Sequence, residues 1–379
     1  MLIRRTIQKE IEKRLFKGKA IIIYGARQVG KTTLVKQIAD KYKNNSIYLN
    51  CDEPDIRDKL FNKTSTELKQ LIGNKKLVII DEAQRVKDIG ITLKLIVDNF
   101  KQIQVIATGS SSFDLSNDIS EPLTGRKYEF FLPPFSIEEL REIYSDIELN
   151  RILENMIIYG LYPEIILNSE DREINLKSLT DSYLFKDVLM YQNIKNPDIL
   201  RRLLQALALQ IGNEVSYTEL SKLLGIDKKT VESYINILEQ AFIIFRLNPF
   251  SSNLRKELKK LRKIYFYDTG IRNALINNFN PSYLRQDWGA LWENFVIVER
   301  IKYLKNHLVN KSYFFWRNIY KQEVDYLEIG SDKICAFEIK WKKSRSKLPN
   351  MFNDLYPNNE LILVNKDNFL DVIYDKLDR

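Results

Sequence analysis

The sequence has few of the side chains that build disulfide frameworks or histidine-dependent catalytic sites. Two cysteines, Cys51 and Cys335, are too few for such a framework, and this low number fits a reducing compartment. The single histidine, His307, nearly excludes histidine-based catalysis and histidine-rich zinc sites. Acid–base or metal chemistry in this chain must therefore come from carboxylates, lysines and hydroxyl groups.

Long apolar runs are also missing from the sequence. No stretch approaches the ~18 consecutive apolar residues of a membrane-spanning helix. The first residues, M-L-I-R-R, do not resemble the apolar segment of a secretory signal peptide. With 44% hydrophobic and 29% charged residues, a chain of 379 residues has the composition of a globular protein with more than one domain. We therefore expect a cytoplasmic protein that does not interact with a membrane.

The net charge is +9, and the basic residues are concentrated in two runs. One run spans residues 255–263 and the other spans residues 340–347. Such runs are typical of surfaces that bind nucleic acid or another polyanion. Lysine-rich faces that contact only solvent have the same composition, so the charge alone leaves both interpretations open.

Residues 25–32 carry the most informative motif, G-A-R-Q-V-G-K-T, between an apolar run and a helical pattern. A strand, a glycine-containing turn and a helix are the context in which a G-x-x-x-x-G-K-[ST] sequence binds nucleotide phosphates. Gly25 and Gly30 allow the backbone to approach the phosphates, and amides at the helix N-terminus donate hydrogen bonds to them. Lys31 would reach the β- and γ-phosphates, and the hydroxyl of Thr32 would bind Mg²⁺.

Apolar segments alternate with helical patterns over about 110 residues, which predicts a doubly wound α/β domain with a parallel sheet. In such a sheet, ligand-binding groups gather at the carboxyl ends of the strands. Asp81 and Glu82 follow the apolar segment 76–80, and Ser110 follows the segment 103–107. Asp81 would hold Mg²⁺ and Glu82 would polarise the attacking water. Ser110 is placed to sense the γ-phosphate.

Several of these segments resemble the AAA-type P-loop ATPases of archaea and bacteria. Besides the phosphate loop, the similarity lies in D-E-A-Q at 81–84, T-G-S-S at 108–111, L-T-G-R at 123–126 and L-P-P-F-S at 132–136. The resemblance extends over most of the chain and implies ATP binding and hydrolysis, without a defined substrate. In that family a C-terminal domain of largely uncharacterised role follows the ATPase domain.

Arg126 is the best candidate in the N-terminal half for an arginine finger or sensor, which would stabilise the charge that develops during phosphoryl transfer. An arginine that only forms a surface ion pair after a glycine turn fits the same sequence. The predicted catalytic residues are Glu82, Lys31 and Arg126. The predicted nucleotide-binding residues are Gly25, Ala26, Arg27, Gln28, Val29, Gly30, Lys31, Thr32, Thr33 and Ser110.

The segment 213–250 resembles a winged helix-turn-helix. One helical pattern ends at Gly225, a second begins after Asp227, and a strand-like segment follows at 241–247. The positions on the early turns of the second helix, where DNA-binding members make contacts, are Lys228, Lys229, Thr230, Ser233 and Tyr234. Winged helices also pack beside ATPases without binding DNA, so DNA contact is one of two interpretations.

Residues 323–341 predict a β-hairpin around the turn G-S-D-K. If that turn is symmetric, Asp325 lies opposite Glu338 and Glu323 lies opposite Lys340, all on one face of the hairpin. Two facing carboxylates repel each other unless a cation or a proton lies between them. The hairpin is therefore a candidate cation site.

An Asp followed by Glu-x-Lys on the next strand resembles the arrangement of restriction-endonuclease-like folds. There the carboxylates bind Mg²⁺ and the lysine orients or activates water. Glu293 matches the helical glutamate of that arrangement, so a nuclease-type Mg²⁺ site would consist of Glu293, Asp325 and Glu338 with Lys340. Domains of this kind also bind without cutting, and a Lys340–Glu323 pair would screen the carboxylates without a metal.

The sequence therefore predicts an α/β protein with four parts. These are an AAA-type P-loop ATPase domain with a parallel sheet at 1–140, a helical lid or linker at 141–210, a winged helix-turn-helix at 211–265 and a restriction-endonuclease-like α/β domain at 266–379. ATP and Mg²⁺ are the predicted cofactors. Double-stranded DNA is the predicted partner, bound or cleaved by the C-terminal half in response to nucleotide. The alternative is an ATP-switched protein-interaction scaffold without DNA activity, and a homo-oligomer is compatible with both.

Overall fold

The structure is a computed structural model of the chain. It describes residues 2–110, 122–168, 170–181, 196–250, 262–330, 333–343, 345 and 347–374. Ser111 of the T-G-S-S motif and the basic residues at 255–261 lie outside these ranges. Within them, the structure contains no helix with the length and apolar character that crossing a membrane requires.

The N-terminal half is built on a parallel sheet of five strands in the order β2-β3-β4-β1-β5. The strands are β1 (Ala20–Tyr24), β2 (Ser46–Asn50), β3 (Leu77–Asp81), β4 (Gln104–Gly109) and β5 (Lys127–Phe131). The inner strands β1, β3 and β4 are buried along their whole length, as expected where helices cover both faces of a parallel sheet. The predicted parallel α/β sheet is confirmed.

Helices connect these strands and cover the sheet. They are α1 (Gln8–Glu12), α2 (Lys31–Asp40), α3 (Pro54–Leu60), α4 (Ser65–Ile72) and α5 (Ile89–Asn99), with 3₁₀ turns at Lys43–Asn45 and Ala83–Arg85. Helix α2 begins directly after Gly30, whose left-handed backbone ends the phosphate loop. The loop, the strand before it and the helix after it are therefore arranged as the motif requires.

A group of helices follows the sheet in the chain. They are α6 (Ile137–Leu140), α7 (Asp146–Tyr159), α8 (Pro163–Leu167), α9 (Arg172–Leu179) and α10 (Pro197–Leu209). Two of them begin with reciprocal capping hydrogen bonds, between Ser136 and Glu139 in α6 and between Ser145 and Glu148 in α7. Such caps satisfy amide groups that would otherwise have no partner, and they fix where each helix starts.

Two further helices and a small antiparallel sheet come next. The helices are α11 (Tyr217–Leu224) and α12 (Lys228–Gln240), and the strands β6 (Glu214–Val215), β7 (Ile244–Leu247) and β8 (Arg262–Phe266) lie in the order β6-β8-β7. Gly225 adopts the left-handed conformation that ends α11, and the Asp227 carboxylate accepts a hydrogen bond of 2.9 Å from the Thr230 amide. The predicted helix, turn and helix are present with these caps.

The C-terminal part packs a long helix against a second sheet. Its elements are α13 (Thr269–Leu275), α14 (Trp288–Asn306), β9 (Ser312–Arg317), β10 (Glu323–Ile329), β11 (Ile334–Ile339), α15 (Asn350–Leu355), β12 (Asn359–Val364) and α16 (Phe369–Tyr374), with a 3₁₀ turn at Ser282–Leu284. The sheet order is β12-β11-β10-β9, and only the β11–β12 pair among these neighbours is parallel. In the hairpin of β10 and β11, Leu327 faces Ala336, which is the register of a symmetric turn.

One large apolar cluster connects the N-terminal, helical and C-terminal regions, and two smaller clusters lie within residues 20–123 and 316–352. A single cluster of buried apolar side chains runs from Ile3 through the helical region to Ile373. Phe131, at the end of β5, packs against Phe242 and Tyr267 at ring-centroid distances of 4.7 and 5.2 Å. Because the ATPase sheet and the C-terminal part are in direct contact, a movement in one part can change the packing of the other.

Candidate functional site

A cleft of about 750 Å³ lies at the carboxyl ends of β1 and β3. One wall carries the phosphate loop with Asp81 and Glu82, and the opposite wall is formed by α8 and α9. Ser110, at the end of β4, also lines it. Apart from Gly25, Ala26 and Val29, all the predicted nucleotide-binding residues line this cleft. A cleft at the carboxyl edge is where a doubly wound sheet binds its ligands.

The backbone of the phosphate loop depends on left-handed conformations. Gly30 has a φ of 96° and Gln28 has a φ of 61°. A Cβ atom on Gly25 would overlap the backbone carbonyl of Leu132, so this glycine is required by packing inside the protein. Gly25 was predicted from the needs of a bound phosphate, and the structure adds this second reason for its lack of a side chain.

Lys31 is buried at the start of α2, with a relative exposure of 4%. Its Nζ donates hydrogen bonds of 2.9 Å to the carbonyl oxygens of Gly25 and Ala26. Both acceptors belong to the phosphate loop. The ammonium group therefore lies at the turn where the motif predicts that phosphates bind. Thr33 is exposed on the adjacent turn of the helix and lines the same cleft.

The Asp81 carboxylate, at the end of β3, accepts three hydroxyl hydrogen bonds. Thr32 Oγ1 donates over 2.7 Å and Tyr48 OH over 2.5 Å, both to Oδ2, and Thr108 Oγ1 donates to Oδ1. Burial and the adjacent Asp81 carboxylate raise the pKa of Tyr48, so its hydroxyl stays protonated and continues to donate. The sequence motifs did not include Tyr48, because nothing in the spacing relates it to Asp81.

Glu82 has a left-handed backbone, with φ 53° and ψ 43°, which side chains rarely adopt. Its amide donates 3.1 Å to Thr108 Oγ1. Gln84 Nε2 donates to the Glu82 carboxylate over 2.6 Å and to Ser110 Oγ over 3.0 Å. Gln84 therefore joins the predicted water-polarising glutamate to the predicted γ-phosphate sensor, a link that sequence reasoning missed.

The structure does not bring Arg126 into the cleft of its own chain. Arg126 precedes β5 at the amino edge of the sheet, where its carbonyl accepts a hydrogen bond from the Ala20 amide. A strand of this length spans about 16 Å, so the phosphate loop lies at the far edge. The Arg126 guanidinium pairs with Asp98 at 2.7 Å. The cleft is lined instead by Arg27 and by Arg85, which pairs with Asp52 at 2.5 Å.

A second group of charged residues lies between α14, β10 and β8. Glu293, Glu323 and Asp325 each place a carboxylate oxygen within 4.8 Å of the other two. The ammonium of Lys263, from β8, lies 3.0 Å from Glu293 and also pairs with Glu323. Lys263 is 1% exposed, so it was wrongly counted among the bases of a surface run.

Charges and burial act in opposite directions in this acidic cluster, which consists of Glu293, Glu323 and Asp325. Burial raises the pKa of Glu293 and the nearby Lys263 ammonium lowers it, with a net pKa of about 7. Burial alone would lower the pKa of Lys263, but the carboxylates of Glu293 and Glu323 raise it above its usual value. The lysine is therefore charged, and as arranged these residues hold an ammonium group rather than a divalent cation.

The predicted residues Asp325, Glu338 and Lys340 lie together, because Lys340 pairs with both carboxylates. Lys340 Nζ lies 3.2 Å from Asp325 and 3.0 Å from Glu338, whereas Glu323 pairs with Lys263. The expected Glu323–Lys340 pair is therefore absent from these described contacts. The pairing of β10 with β9 shifts register between Val324 and Leu327, next to Asp325.

The helix-turn-helix presents part of its predicted DNA-contact set to solvent. Lys228, Lys229 and Ser233 are exposed on α12, whereas Tyr234 is half-buried. Thr230 Oγ1 donates to the Asp227 carboxylate over 2.5 Å, so its hydroxyl is used in the helix cap. The exposed bases of the second basic run are Lys340, Lys342, Lys343, Arg345 and Lys347.

Comparison with known protein families gives three matches along the chain. Residues 17–141 match an AAA domain. Residues 150–282 and 288–376 match two domains of unknown function, DUF8612 and DUF4143. The boundaries of the predicted winged helix-turn-helix and nuclease-like domain do not coincide with these matches, and neither match identifies such a domain.

Relatives occur in archaea and bacteria. An uncharacterised protein of Methanocaldococcus jannaschii, MJ1544, is 28% identical over 355 residues, covering 87% of this chain and 76% of the relative. The uncharacterised protein Rv2008c of Mycobacterium tuberculosis is 28% identical over 343 residues, covering 89% of this chain and 74% of the relative.

Among solved structures, the Walker-type ATPase PABY2304 of Pyrococcus abyssi is similar, with a TM-score of 0.52 and 17% identity. The similarity covers 73% of this chain and 96% of that one, and at this identity it shows a common fold. The fold is therefore that of a P-loop ATPase, and the AAA match at residues 17–141 supports ATP binding and ATPase activity.

Proposed function

We propose that this chain is a Mg²⁺-dependent ATPase whose nucleotide state controls a DNA-binding C-terminal half. The contact between Thr32 and Asp81 carries the ATPase part of the proposal, because it joins the phosphate loop to the strand-end acid at 2.7 Å. Hydroxyl and carboxylate oxygens are the ligands that Mg²⁺ prefers, so these two residues fit the ion that accompanies ATP. Bound Mg²⁺ neutralises charge on the β- and γ-phosphates.

In this proposal each residue of the cleft has one task. When nucleotide binds, Lys31 Nζ donates hydrogen bonds to the phosphate oxygens, which replace the carbonyl oxygens of Gly25 and Ala26 as its acceptors. Glu82 takes a proton from the attacking water, and Gln84 holds the carboxylate beside Ser110. The fixed donors and acceptors around Asp81 need no rearrangement when the charge develops, which is the usual basis of rate enhancement in phosphoryl transfer.

The DNA-binding part of the proposal is based on α12 and the basic residues near it. Helix α12 begins with exposed Lys228 and Lys229, and the antiparallel strands β7 and β8 follow it in the chain, as in a winged helix-turn-helix. The exposed bases Lys342, Lys343, Arg345 and Lys347 would add phosphate contacts. The direct packing of Phe131 against Phe242 and Tyr267 provides the physical connection between this region and the ATPase sheet.

A more specific version of this proposal is that the C-terminal half also cleaves DNA. The position of Lys263 argues against cleavage. The predicted Mg²⁺ ligands Glu293 and Asp325 share their cluster with a buried ammonium group. A divalent ion and the ammonium cannot occupy the same space between these carboxylates. We therefore propose that the C-terminal half binds DNA without cutting it while Lys263 keeps this position.

A protein-interaction scaffold is the second candidate, and an exposed apolar turn favours it. Ile319 and Tyr320 are 86% and 74% exposed between β9 and β10. The Asn318 side chain accepts hydrogen bonds from the amides of Tyr320 and Gln322, at 2.9 and 3.0 Å, and so fixes the turn. Exposed apolar side chains on an ordered turn are typical of surfaces that bind other proteins.

Measurement of ATP turnover with Mg²⁺, without and with double-stranded DNA, separates these candidates. At about 50 mM salt we expect DNA to increase turnover, and at about 200 mM salt we expect the increase to fade because phosphate contacts release counterions. If DNA does not change the rate of ATP turnover and a binding titration detects no DNA affinity, the result would favour the protein-interaction scaffold. Absence of turnover under all these conditions would contradict the ATPase itself.

A further inference from the structure

Arg5 lies in the N-terminal segment before α1, yet its side chain contacts the phosphate loop. Its Nη1 donates to the carbonyl oxygen of Val29 over 2.7 Å. Its Nη2 donates to the carbonyl oxygen of Pro133 over 2.5 Å, and its Nε donates to Glu139 over 3.0 Å. The side chain is 4% exposed, so all three contacts lie inside the protein.

The contact with Val29 constrains the following amide. A trans peptide group is planar, and its C=O and N–H point in opposite directions. Because Arg5 holds the carbonyl of Val29, the amide of Gly30 must point away from Arg5. The left-handed backbone of Gly30 then leads directly into Lys31. An arginine with fixed planar geometry can define the orientation of such a peptide group, whereas a flexible lysine cannot.

Arg5 is held by a segment that also supports the first turn of the loop. We call residues 132–139 the strap. At its start, the Leu132 amide donates to the Tyr24 carbonyl over 2.7 Å, and the Leu132 carbonyl lies against Gly25. The strap thus contacts the loop directly at Gly25, and it contacts Val29 through Arg5.

The other side of the strap is bound to the long C-terminal helix α14. Lys302 Nζ donates to the carbonyl oxygen of Phe135 over 2.7 Å, and the Ile137 amide donates to Glu299 over 2.8 Å. Lys302 and Glu299 pair with each other at 2.8 Å and are 2% and 0% exposed. Buried ionic contacts have one well-defined geometry, because any other would leave a charge without a partner.

We propose that Arg5 is a positioning residue for ATP turnover: it orients the Val29–Gly30 peptide of the phosphate loop, and the Lys302–Glu299 pair of α14 sets the strap that holds it. This inference rests on the proposed ATP binding. The C-terminal half thereby influences the nucleotide site through a continuous series of buried polar contacts. The same series offers a route by which a ligand of the C-terminal half alters the affinity for ATP.

The test compares Arg5→Lys with Arg14→Lys in the full chain. Arg14, just after α1, pairs only with Glu10 of that helix among its described ionic contacts, at 2.8 Å. A fluorescent ATP analogue is titrated with Mg²⁺, and the KM and kcat of ATP hydrolysis are measured separately. We expect Arg5→Lys to weaken nucleotide binding and raise KM about tenfold, a typical cost for lost charge-assisted hydrogen bonds, and Arg14→Lys to leave both unchanged.

The binding titration keeps the proposal testable whatever the turnover. If the wild type binds the analogue but does not hydrolyse ATP, the proposed ATPase fails, while the analogue affinity still decides the role of Arg5. Folded Arg5→Lys with wild-type affinity and KM would overturn the inference. If Arg5→Lys does not fold, Lys302→Met decides in its place. We expect it to weaken analogue binding about threefold through the strap, and unchanged affinity would overturn the inference.

Discussion

The hydroxyl of Thr32 donates a hydrogen bond of 2.7 Å to the carboxylate of Asp81, although the two residues are 49 positions apart in the chain. Parallel strands β1 and β3 are not neighbours, because β4 lies between them, yet their carboxyl ends open into the same cleft. The helix after β1 and the acid at the end of β3 thereby form one site. Its chemistry is that of a phosphate loop with a magnesium-binding acid.

Substitution of Lys31 by Ala should remove nucleotide binding. The buried ammonium donates hydrogen bonds to the loop carbonyls of Gly25 and Ala26, and bound nucleotide would replace these acceptors with phosphate oxygens. We expect affinity for a fluorescent ATP analogue to fall by about a hundredfold or more, as for other buried charge pairs that lose one partner. Lys41→Ala, at an exposed pair with Glu12, is the matched control. Near-wild-type affinity of Lys31→Ala would contradict the assignment of the loop.

Substitution of Glu82 by Gln should preserve binding and slow hydrolysis. The amide keeps the shape of the side chain but cannot accept the proton of the attacking water. We expect kcat to fall by about two to four orders of magnitude, the range for loss of a general base, while the affinity for the analogue stays within twofold. Glu53→Gln, on the exposed residue before α3, serves as the control. Unchanged turnover would show that another residue activates the water.

The pairs of basic residues on α12 test the DNA-binding surface. The double variant Lys228→Ala, Lys229→Ala removes two exposed charges from the start of the helix. We expect weaker binding of double-stranded DNA in fluorescence anisotropy. We also expect the slope of log affinity against log salt concentration to decrease by about two, because two fewer counterions are released. Lys94→Ala, Lys101→Ala removes two exposed charges from the ATPase half and should leave DNA affinity unchanged. Equal DNA affinity of both double variants would move the site away from α12.

Substitution of Lys263 by Met should destabilise the protein and create a metal site. It leaves three carboxylates within 4.8 Å without their buried cation, and loss of one partner of a buried ion pair costs about 3–5 kcal/mol of unfolding free energy. We expect Mn²⁺ to raise the Tm of this variant and to leave the Tm of the wild type unchanged. Lys333→Met, at an exposed pair with Glu360, is the control. A Tm of Lys263→Met that does not respond to Mn²⁺ would contradict the assignment of Lys263 as internal cation.

Asp287, immediately before α14, gives a pH-dependent contribution to stability. Burial alone would raise its pKa, but hydrogen bonds from Arg285 and Arg272 lower the pKa of Asp287 to about 2, from an ordinary 3.8. A lowered pKa stabilises the folded state above the ordinary value, and this stabilisation is lost as the pH falls towards 2. Asp287→Asn should therefore cost about 2 kcal/mol at pH 7.

Denaturant titrations of the wild type and Asp287→Asn measure this difference. It should be constant between pH 7 and pH 5 and shrink below about pH 4, where the unfolded aspartate becomes protonated. A matched control is Asp55→Asn, because Asp55 forms only an exposed helical pair with Lys59 among its described ion pairs. A wild-type advantage that persists undiminished at low pH would show that the aspartate acts by packing and not by its charge.

The features that local sequence determines were predictable. Apolar runs identified β1 to β4 of the parallel sheet but not β5, and the glycine-rich turn before α2 identified the phosphate loop. The hairpin of β10 and β11 has the predicted register, since a short turn leaves few alternative pairings. These elements depend on residues that are near each other in the chain.

The features that depend on distant partners were not predictable from spacing. Arg5 reaches Val29, 24 positions away, and Glu139, 134 positions away, and no periodicity relates these residues. Lys263 belongs to a basic run by sequence, but β8 carries it into an acidic cluster. Arg126 follows a motif that suggests catalysis, but the strand after it begins at the edge of the sheet away from the cleft. Only the folded chain shows which charges meet.

The most direct test of the central claim is ATP hydrolysis by the purified wild-type chain with Mg²⁺ and with EDTA in place of Mg²⁺. The pairing of Thr32 with Asp81 predicts steady turnover that requires Mg²⁺ and disappears in EDTA. Turnover that persists in EDTA would contradict the magnesium site, and no turnover with Mg²⁺, with or without double-stranded DNA, would contradict an ATPase.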